Sequence, residues 1–384
     1  MMEKKKALLV LAGGRAAPDV LSLFWVQPQL VRVITSEEGW PYEKAFVDIA
    51  QSLPNCRVDV IHDINAYDPE ACEKACIDAC RPYPDTEWDW TFTIGSAPKV
   101  TGIAAYEVAK QKGIPCWHID TQHERLVSLV KKVEIDKERF FHLTLDDYMK
   151  VQHRIWKLRG MPDSNYRDTV KKWAGIAREL AISPDAMSLL TTLRDKKVGV
   201  DINLPPELAN STILQSLEQE ELLKVTRKSS DEMVCCFTTI EAAQFVGTGD
   251  WLEFYVWHEA IGIGLADEHH SQWGCLVIDG PVDKELDLAL IYKAQLIVAE
   301  CKAEQNPFQA RRNHLGRLEA KANVLGGSYV SKLFITNQHA TGDSFKAFCD
   351  QAEQYKIVVV TAEKLPDIGK ILKKEATNPT YSRI

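Results

Sequence analysis

The sequence lacks several patterns that would place it in a familiar class. No apolar run approaches the roughly 20 residues that a membrane-spanning helix needs, no two cysteines have CxxC spacing, and no low-complexity tract is present. The phosphate-binding pattern GxGxxG is missing as well. A membrane protein, a cysteine-rich zinc domain and a dinucleotide-binding dehydrogenase are therefore disfavoured, and a cytoplasmic globular protein is expected.

The ten cysteines of the 384-residue chain are expected to be reduced thiols and not a disulfide framework. Cys72, Cys76 and Cys80 are spaced four apart, which predicts that they line one face of a helix. Because free cysteine behaves as a small buried hydrophobe, a structural role is expected for this face.

The net charge of −8 argues against a constitutive nucleic-acid-binding protein. Non-specific binding depends on Lys and Arg side chains that neutralise phosphates. Any contact with nucleic acid therefore needs a local basic patch, for which the sequence offers Arg311, Arg312, His314 and Arg317.

Residues 1–145 alternate between apolar strands and amphipathic helices, beginning with the strand Ala7–Ala12. This alternation predicts an α/β fold, a Rossmann-like doubly wound domain. In such sheets, ligands bind where the carboxyl ends of the strands lead into helices. Three loops are predicted to lie there; their residues are Gly13, Gly14 and Arg15, then Thr35 and Ser36, then Gly95, Ser96, Ala97, Pro98 and Lys99.

Small and hydroxyl residues with two cations in these loops suit an anionic ligand that carries phosphates. On residue types alone, the alternative that these loops are ordinary turns without a ligand has equal weight, since glycine turns occur wherever a strand leads into a helix.

The middle of the chain is predicted to hold a helical connector, residues 146–178, and then a domain that starts at 179. Residues 179–245 are predicted as helices followed by a hairpin, Leu222–Thr238, and 246–384 as the core of the last domain. Helices followed by such a hairpin are also typical of a winged helix. A purely structural segment before the last domain is favoured over a winged helix, because the hairpin has no strongly basic face.

The last domain is predicted to be a small mixed α/β core that contains an unusual hairpin, "ELDLALIYKAQLIVAECKAE". Two apolar strands carry Asp287, Glu300 and Lys302 where a buried strand should carry no charge. Glu300 and Lys302, two apart, point to one face, and antiparallel pairing can bring Asp287 opposite them. A solvated hairpin edge with an ion pair is the structural alternative.

Two converging carboxylates with a lysine favour a site for phosphodiester hydrolysis that uses Mg²⁺ or Mn²⁺. Mg²⁺ is held by one or two carboxylates with water and substrate phosphate, and a lysine can position water or neutralise charge. Glu253, in "GDWLEFYVW", is a helical candidate for the metal shell beside Asp287 and Glu300. Lys321, on the following helix, is a candidate contact for the scissile backbone.

"GDWLEFYV", "KELDLALIYKAQLIVAECKAE" and "LEAKANVLGG", in that order, resemble the PD-(D/E)xK domain of CRISPR ancillary nucleases. "LLVLAGGRAAPDVLSLF", "ITSEE" and the loop ending in Lys99 resemble the CRISPR-associated Rossmann-like (CARF) sensor of the same proteins. The resemblance implies a restriction-endonuclease-like last domain. It implies Asp287 and Glu300 as metal ligands, Lys302 as the catalytic lysine and Glu253 as the helix carboxylate.

The resemblance also implies the partners. The sensor domains are expected to form a homodimer that binds a cyclic oligoadenylate, with cyclic tetra-adenylate the expected ring. Binding would activate metal-dependent cleavage of single-stranded RNA or DNA, with nicking of duplex DNA in some members, as part of type III CRISPR antiviral defence.

One loop and one further position depart from the family pattern. The sensor loop of relatives tends to be TGGTK, whereas here it is "GSAPK", which keeps Lys99 but changes the residues before it. The Asn that often precedes "ELD" is Lys284. The first departure concerns ligand contact and ring size, while the second leaves Asp287 in place.

Two other functions remain open from the sequence. A ring nuclease would use the sensor domain to degrade the cyclic ligand, although no obvious general base accompanies Thr35, Ser36 and Lys99. A ligand-gated nucleic-acid-binding regulator would use the hairpin as a wing with an inactive last domain. The acidic segment "STILQSLEQEE" before the hairpin counts against it.

Overall fold

A computed structural model describes residues 4–13, 16–62, 64–121, 125–133, 142–152, 154–158, 164–228, 232–279, 282–326 and 330–380. The chain divides into two compact units. The first comprises Met1–Ile155 and Lys293–Gln295, and the second Trp156–Tyr292 and Leu296–Ile384. The predicted boundaries at residues 145 and 178 stay predictions.

The first unit is built on a six-stranded sheet in the order β3-β2-β1-β4-β5-β6. Its strands are Lys5–Leu11 (β1), Leu30–Ile34 (β2), Arg57–Ile61 (β3), Trp88–Thr93 (β4), Cys116–Asp120 (β5) and Arg125–Val130 (β6). All neighbours are parallel except β5 and β6. The carboxyl ends of β1, β2 and β4 therefore meet at one edge, as predicted for a doubly wound sheet.

Helices of the first unit are Ala17–Val26 (α1), Trp40–Ser52 (α2), Pro69–Cys80 (α3), Lys99–Lys112 (α4) and Leu145–Val151 (α5). The first turn of α4 begins at Lys99, directly after the loop from β4, so its free backbone N–H groups lie at the carboxyl edge of the sheet. Gly113, with φ of 63°, ends this helix in the left-handed conformation that glycine adopts without strain.

The predicted cysteine face is confirmed on α3. Cys72, Cys76 and Cys80 are all buried, and Cys76 and Cys80 belong to the core of the first unit. Burial is the main cause that raises the pKa of Cys80 to about 12. This thiol is therefore neutral at physiological pH and packs as an apolar group.

The second unit contains a six-stranded sheet in the order β15-β14-β13-β12-β11-β7. Its strands are Ile155–Leu158 (β7), Ser271–Asp279 (β11), Val282–Tyr292 (β12), Gln295–Lys302 (β13), Ser331–Thr336 (β14) and Ile357–Val360 (β15). β11 and β12 are antiparallel, whereas β13, β14 and β15 run parallel. This is the mixed α/β core that the sequence predicts.

A separate three-stranded sheet has the order β8-β10-β9. Its strands are Ile202–Leu204 (β8), Leu223–Arg227 (β9) and Met233–Phe237 (β10). β9 and β10 confirm the predicted hairpin. The sequence did not predict β8, and the prediction that residues 146–178 are helical is wrong at β7, because a strand of three or four residues gives too short an alternation to recognise.

Helices of the second unit are Ser164–Lys172 (α6), Ala174–Ile182 (α7), Ala186–Leu193 (α8), Thr212–Gln219 (α9), Asp250–Gly262 (α10), Arg311–Leu325 (α11), Gly342–Gln354 (α12) and Ile368–Thr377 (α13). A helical turn, Ile240–Ala242, continues as a π-helix, Ala243–Thr248, before α10. α10 is apolar almost all round and lies in the main core, where Trp251, Phe254 and Tyr255 are buried.

Within the described residues, no helix combines the length and the apolar character needed to cross a membrane.

Candidate active site and sensor edge

The predicted charged hairpin is formed by β12 and β13. Lys293, with φ of 60°, allows the tight turn between the two strands. Asp287 and Glu300 are only 3% and 4% exposed, and their neighbours along the two strands are apolar and buried. The alternative of a solvated hairpin edge is therefore wrong.

Two lysines neutralise the buried carboxylates. The Nζ of Lys302 lies 3.1 Å from Oδ2 of Asp287 and 2.8 Å from Oε1 of Glu300. The Nζ of Lys321, on α11, lies 2.5 Å from Oε2 of Glu300. Asp287 Oδ2 also accepts a hydrogen bond of 2.7 Å from the backbone N–H of Cys301. The sequence-predicted residues of β12, β13 and α11 thus come together in one cluster.

The two carboxylates differ in their electrostatic surroundings. Burial, followed by the negative charge of Glu300, raises the pKa of Asp287. Burial would raise the pKa of Glu300 too, but Lys302 and Lys321 outweigh it and lower that pKa. For Lys302, burial opposes the charged form, yet Asp287 and Glu300 raise its pKa. Glu300 is therefore the more firmly ionised of the two acids.

A group of three carboxylates adjoins this cluster. Oxygen atoms of Glu253, Glu285 and Asp287 all lie within 4.8 Å of one another. Carboxylate oxygens at this spacing are the ligands that hard divalent cations prefer, so the residues fit Mg²⁺ or Mn²⁺. Glu253 thus lies beside Asp287, and its role as a metal ligand stays a prediction. Glu300 lies outside this group and is bonded to the lysines, and its role as a ligand stays a prediction.

Glu285 is the member that sequence reasoning missed. It stands two residues before Asp287 on β12 and so projects from the same face of the strand. The alternation in "ELD" was the available signal. It was overlooked because a glutamate near the start of a strand is ordinarily solvated.

The predicted basic patch is only partly formed among the described side chains. Arg312 and Arg317 are exposed on α11. His314 is 8% exposed and its Nε2 lies 2.7 Å from Oε1 of Glu304, so it does not contribute to the surface. The side chain of Arg311 lies outside the described residues.

In the first unit, the predicted loops lie at the carboxyl edge of the sheet. A Cβ on Gly13 would stand 1.6 Å from the backbone oxygen of Ser96, so only glycine fits there. Ser96 Oγ accepts a hydrogen bond from the backbone N–H of Gly13, with 3.2 Å between N and Oγ, and lies 3.1 Å from the backbone oxygen of Leu11. The loops after β1 and β4 are therefore packed against each other. Gly14 and Arg15 lie outside the described residues.

The remaining predicted loop residues differ in exposure. Thr35 and Ser36 are buried, and Thr35 Oγ1 donates to the backbone oxygen of Ser36 at 3.1 Å. Gly95, Ala97 and Pro98 are half-buried, whereas Lys99 is exposed at the start of α4. Lys99 is thus placed to meet an anion at a helix N-terminus.

Two buried acids behind these loops were not predicted. Asp19 accepts hydrogen bonds from Ser96 and Thr93, and burial raises its pKa to about 8 against these bonds. Glu43, 2% exposed on α2, has its pKa raised by burial, against the charge of His62 and a hydrogen bond from Thr35. The contacts of Asp19 and of Glu43 join residues from separate elements, so no local sequence pattern predicts them.

Comparisons with known proteins agree with this architecture. Residues 240–378 match the family described as "Card1-like, endonuclease domain". The predicted resemblance of the last domain to CRISPR ancillary nucleases is therefore confirmed for these residues. No curated protein matches the sequence.

Solved structures resemble the chain over almost its whole length. Can2 from Sulfobacillus thermosulfidooxidans, in complex with cyclic tetra-adenylate, has a TM-score of 0.70 at 16% identity and covers 97% of both chains. Protein VC1899 from Vibrio cholerae has a TM-score of 0.73 at 17% identity, covering 97% of this chain and 98% of its own. The predicted fold class is confirmed by this likeness.

A type III CRISPR defence DNA nuclease activated by cyclic oligoadenylate is similar too, with a TM-score of 0.56 at 12% identity. It covers 88% of this chain but only 46% of its own. At these identities the likeness concerns the fold.

Proposed function

We propose that the protein is a metal-dependent endonuclease of type III CRISPR defence. A cyclic oligoadenylate activates it, and cyclic tetra-adenylate is the expected ring. The observation that carries the proposal is the buried cluster of Asp287, Glu300, Lys302 and Lys321 in a domain of an endonuclease family. Two buried carboxylates in an apolar hairpin do not serve stability alone, because desolvation of ions is costly.

The residues have distinct roles in the proposed reaction. Glu253, Glu285 and Asp287 would hold Mg²⁺ or Mn²⁺, with Glu300 as the further ligand that the family resemblance implies. Such an ion supplies Lewis-acid stabilisation to the charge on a phosphodiester. Lys302, held between Asp287 and Glu300, orients the attacking water or neutralises negative charge in the transition state. Lys321, paired with Glu300, would contact the scissile backbone.

The carboxyl edge of the first unit is the proposed sensor site. Support comes from the exposed Lys99 at the N-terminus of α4 and from the close packing of Gly13 on Ser96. Can2, which shares the fold, is seen in complex with cyclic tetra-adenylate. A cyclic ligand with two-fold symmetry suits a homodimer, which we propose as the active assembly, with single-stranded RNA or DNA as substrate.

The deciding experiment measures cleavage of labelled single-stranded RNA and DNA in Mg²⁺ or Mn²⁺, with and without cyclic tetra-adenylate. Cleavage only in the presence of both the metal and the ligand is expected, and the Glu300→Gln variant should not cut. Cleavage that is equal with and without every ring size tested would refute the sensor role. Cleavage that survives in EDTA would refute the metal site.

Ring cleavage in the sensor unit is a second candidate, favoured by one observation. The sequence offers no obvious general base beside Thr35, whereas Glu43, buried on α2, is near enough to His62 and Thr35 for both to oppose the rise of its pKa that burial causes. A carboxyl with a raised pKa is suited to proton transfer near neutral pH. Incubation of cyclic tetra-adenylate with the protein in EDTA, followed by chromatography, tests this; an intact ring after prolonged incubation would reject it.

The gated-regulator alternative has less support. The wing hairpin of β9 and β10 follows α9, whose segment contains Glu218, Glu220 and Glu221 and no basic residue up to Lys224. A recognition helix needs Lys or Arg to bind phosphates.

A further inference from the structure

Helix α11 is fixed alongside the end of strand β13 by two side-chain contacts. The Nζ of Lys321 lies 2.5 Å from Oε2 of Glu300. Seven residues earlier on the helix, Nε2 of His314 lies 2.7 Å from Oε1 of Glu304, which follows the last residue of β13, Lys302, by two positions. The helix therefore runs opposite to the strand, and the part of α11 between these contacts passes beside Lys302.

Arg317 occupies this part of the helix, one turn before Lys321. Residues four apart share one face of a helix and are separated by about 6 Å along its axis. The Arg317 side chain is exposed, and no carboxylate of the described residues forms a salt bridge with it. A Cβ on the neighbouring Gly316 would meet no described atom within 4 Å. Arg317 thus presents an unpaired guanidinium on an open surface beside the proposed catalytic cluster.

The two flanks of α11 face different strands. Lys321 reaches β13, whereas Glu319 pairs with Lys332 on β14. Arg317 shares the flank of Lys321, while Arg312, two helical turns before Glu319, shares the other flank. Of these two exposed arginines, Arg317 is the one on the side of the proposed catalytic cluster.

A guanidinium at this position is suited to a phosphate of a nucleic-acid strand. Its planar set of N–H donors can form two parallel hydrogen bonds with phosphate oxygens. One helical turn is similar in length to the separation of successive phosphates in an extended strand. With Lys321 at the scissile backbone, as proposed above, Arg317 falls at the neighbouring phosphate.

We propose that Arg317 binds the phosphate next to the scissile one and thereby positions the substrate strand along α11. A phosphate contact carries no direct information about the base, so it fixes the register of the strand without adding a sequence preference. The inference rests on the proposed nuclease function and adds one defined contact with the substrate.

The test uses end-labelled single-stranded oligonucleotides, RNA or DNA according to which the wild type cuts, with one uncharged methylphosphonate linkage at a fixed place. Cleavage proceeds in Mn²⁺ and cyclic tetra-adenylate, and a sequencing gel gives the rate at every linkage relative to the unmodified strand. Wild type should lose about tenfold in rate at one linkage directly beside the modified one, because a charge-assisted hydrogen bond to Arg317 is missing there.

Arg317→Gln should cut the unmodified strand about tenfold more slowly at subsaturating substrate, and the methylphosphonate should cause no further loss at the neighbouring linkage. A direct contact requires this non-additivity, whereas a merely structural residue would not produce it. Arg312→Gln removes the same charge from the other flank and should retain the neighbouring loss, whatever its overall rate. Melting temperatures of the variants show that each is folded.

The outcomes separate this contact from the proposed function. A wild-type pattern in which only the modified linkage itself resists cleavage would overturn the contact. An Arg317 variant that retains the neighbouring loss, or an Arg312 variant that abolishes it, would do the same. A wild-type protein that cuts no strand with any metal or ring size would overturn the proposed function, and this inference with it.

Discussion

Lys321 and Glu300 form an ion pair of 2.5 Å between Nζ and Oε2, with side chains that are only 14% and 6% exposed. One carboxylate is thereby shared between Lys321 and Lys302, which holds its other oxygen at 2.8 Å. An ammonium this close competes with any cation for the same oxygen. Under the proposed function, the pair would therefore set how readily the site binds a metal ion.

Lys321→Met is expected to lower the Mn²⁺ concentration for half-maximal binding while it reduces the cleavage rate at saturating Mn²⁺ by at least about tenfold. Removal of the ammonium leaves more negative charge for the cation but takes away the proposed contact to the substrate backbone. Calorimetric titration with Mn²⁺ and single-turnover cleavage measure the two effects. Lys346→Met, at an exposed position of α12, is the matched control; an unchanged Mn²⁺ affinity for the Lys321 variant would contradict the competition.

Glu300→Gln is expected to reduce cleavage by about 100-fold or more, because electrostatic stabilisation at a buried site is a large contribution to catalysis. Binding of cyclic tetra-adenylate should be unchanged, since the ligand is assigned to the other unit. Initial rates on labelled RNA and DNA, with ligand affinity from calorimetry, provide both readings. Glu353→Gln, exposed on α12, should behave as wild type, and survival of cutting in the Glu300 variant would remove this residue from the active site.

Lys99→Ala is expected to raise the ligand concentration for half-maximal activation by about tenfold, because the variant loses one charge-assisted hydrogen bond to the ligand. The rate at saturating ligand should return to that of wild type, because the catalytic cluster is untouched. An activation curve of cleavage against cyclic tetra-adenylate measures this. Lys112→Ala at the other end of α4 is the control, and superimposable curves for Lys99→Ala and wild type would exclude Lys99 from the sensor site.

Asp19 predicts a pH dependence of stability. Its pKa is raised from 3.8 to about 8 in the folded protein, so between these values the folded state holds a proton that the unfolded state has released. Stability therefore falls as pH rises through this range, at up to about 1.4 kcal/mol per pH unit, and levels off above it.

Asp19→Asn keeps the shape of the side chain and removes the titration, so its stability should not show this decline. Denaturant unfolding of wild type and variant from pH 5 to 9 measures the difference. Asp48→Asn, exposed on α2, should keep the wild-type pH profile. Parallel profiles of wild type and the Asp19 variant would show that the carboxyl does not titrate as described.

Sequence reasoning succeeded where the signal was local. The strand alternation around Asp287 and Glu300, and the two-residue spacing of Glu300 and Lys302, were sufficient to predict a shared face and a common cluster. The helix face of Cys72, Cys76 and Cys80 followed from the same kind of periodicity.

The remaining features depend on contacts between distant parts of the chain. Asp19 contacts Ser96, 77 positions later, and a pocket lined by Asn337 and His339 has its opposite wall in the segment between α7 and α8. Neither relationship has a period that a sequence displays. Glu285 is a different case. Its two-residue spacing from Asp287 can be seen in the sequence, but only the fold shows that Glu253 lies beside the same face of the strand.

The turn Lys293–Gln295 belongs to the first unit although the strands on either side of it belong to the second. Within the first unit, the backbone N–H of Leu143 donates to the oxygen of Lys293 at 2.9 Å. No single cut in the chain can therefore produce two intact units. A fragment that starts at Trp156 would carry the catalytic hairpin without the partner of its turn, so a loss of activity on truncation would not by itself demonstrate a need for the ligand.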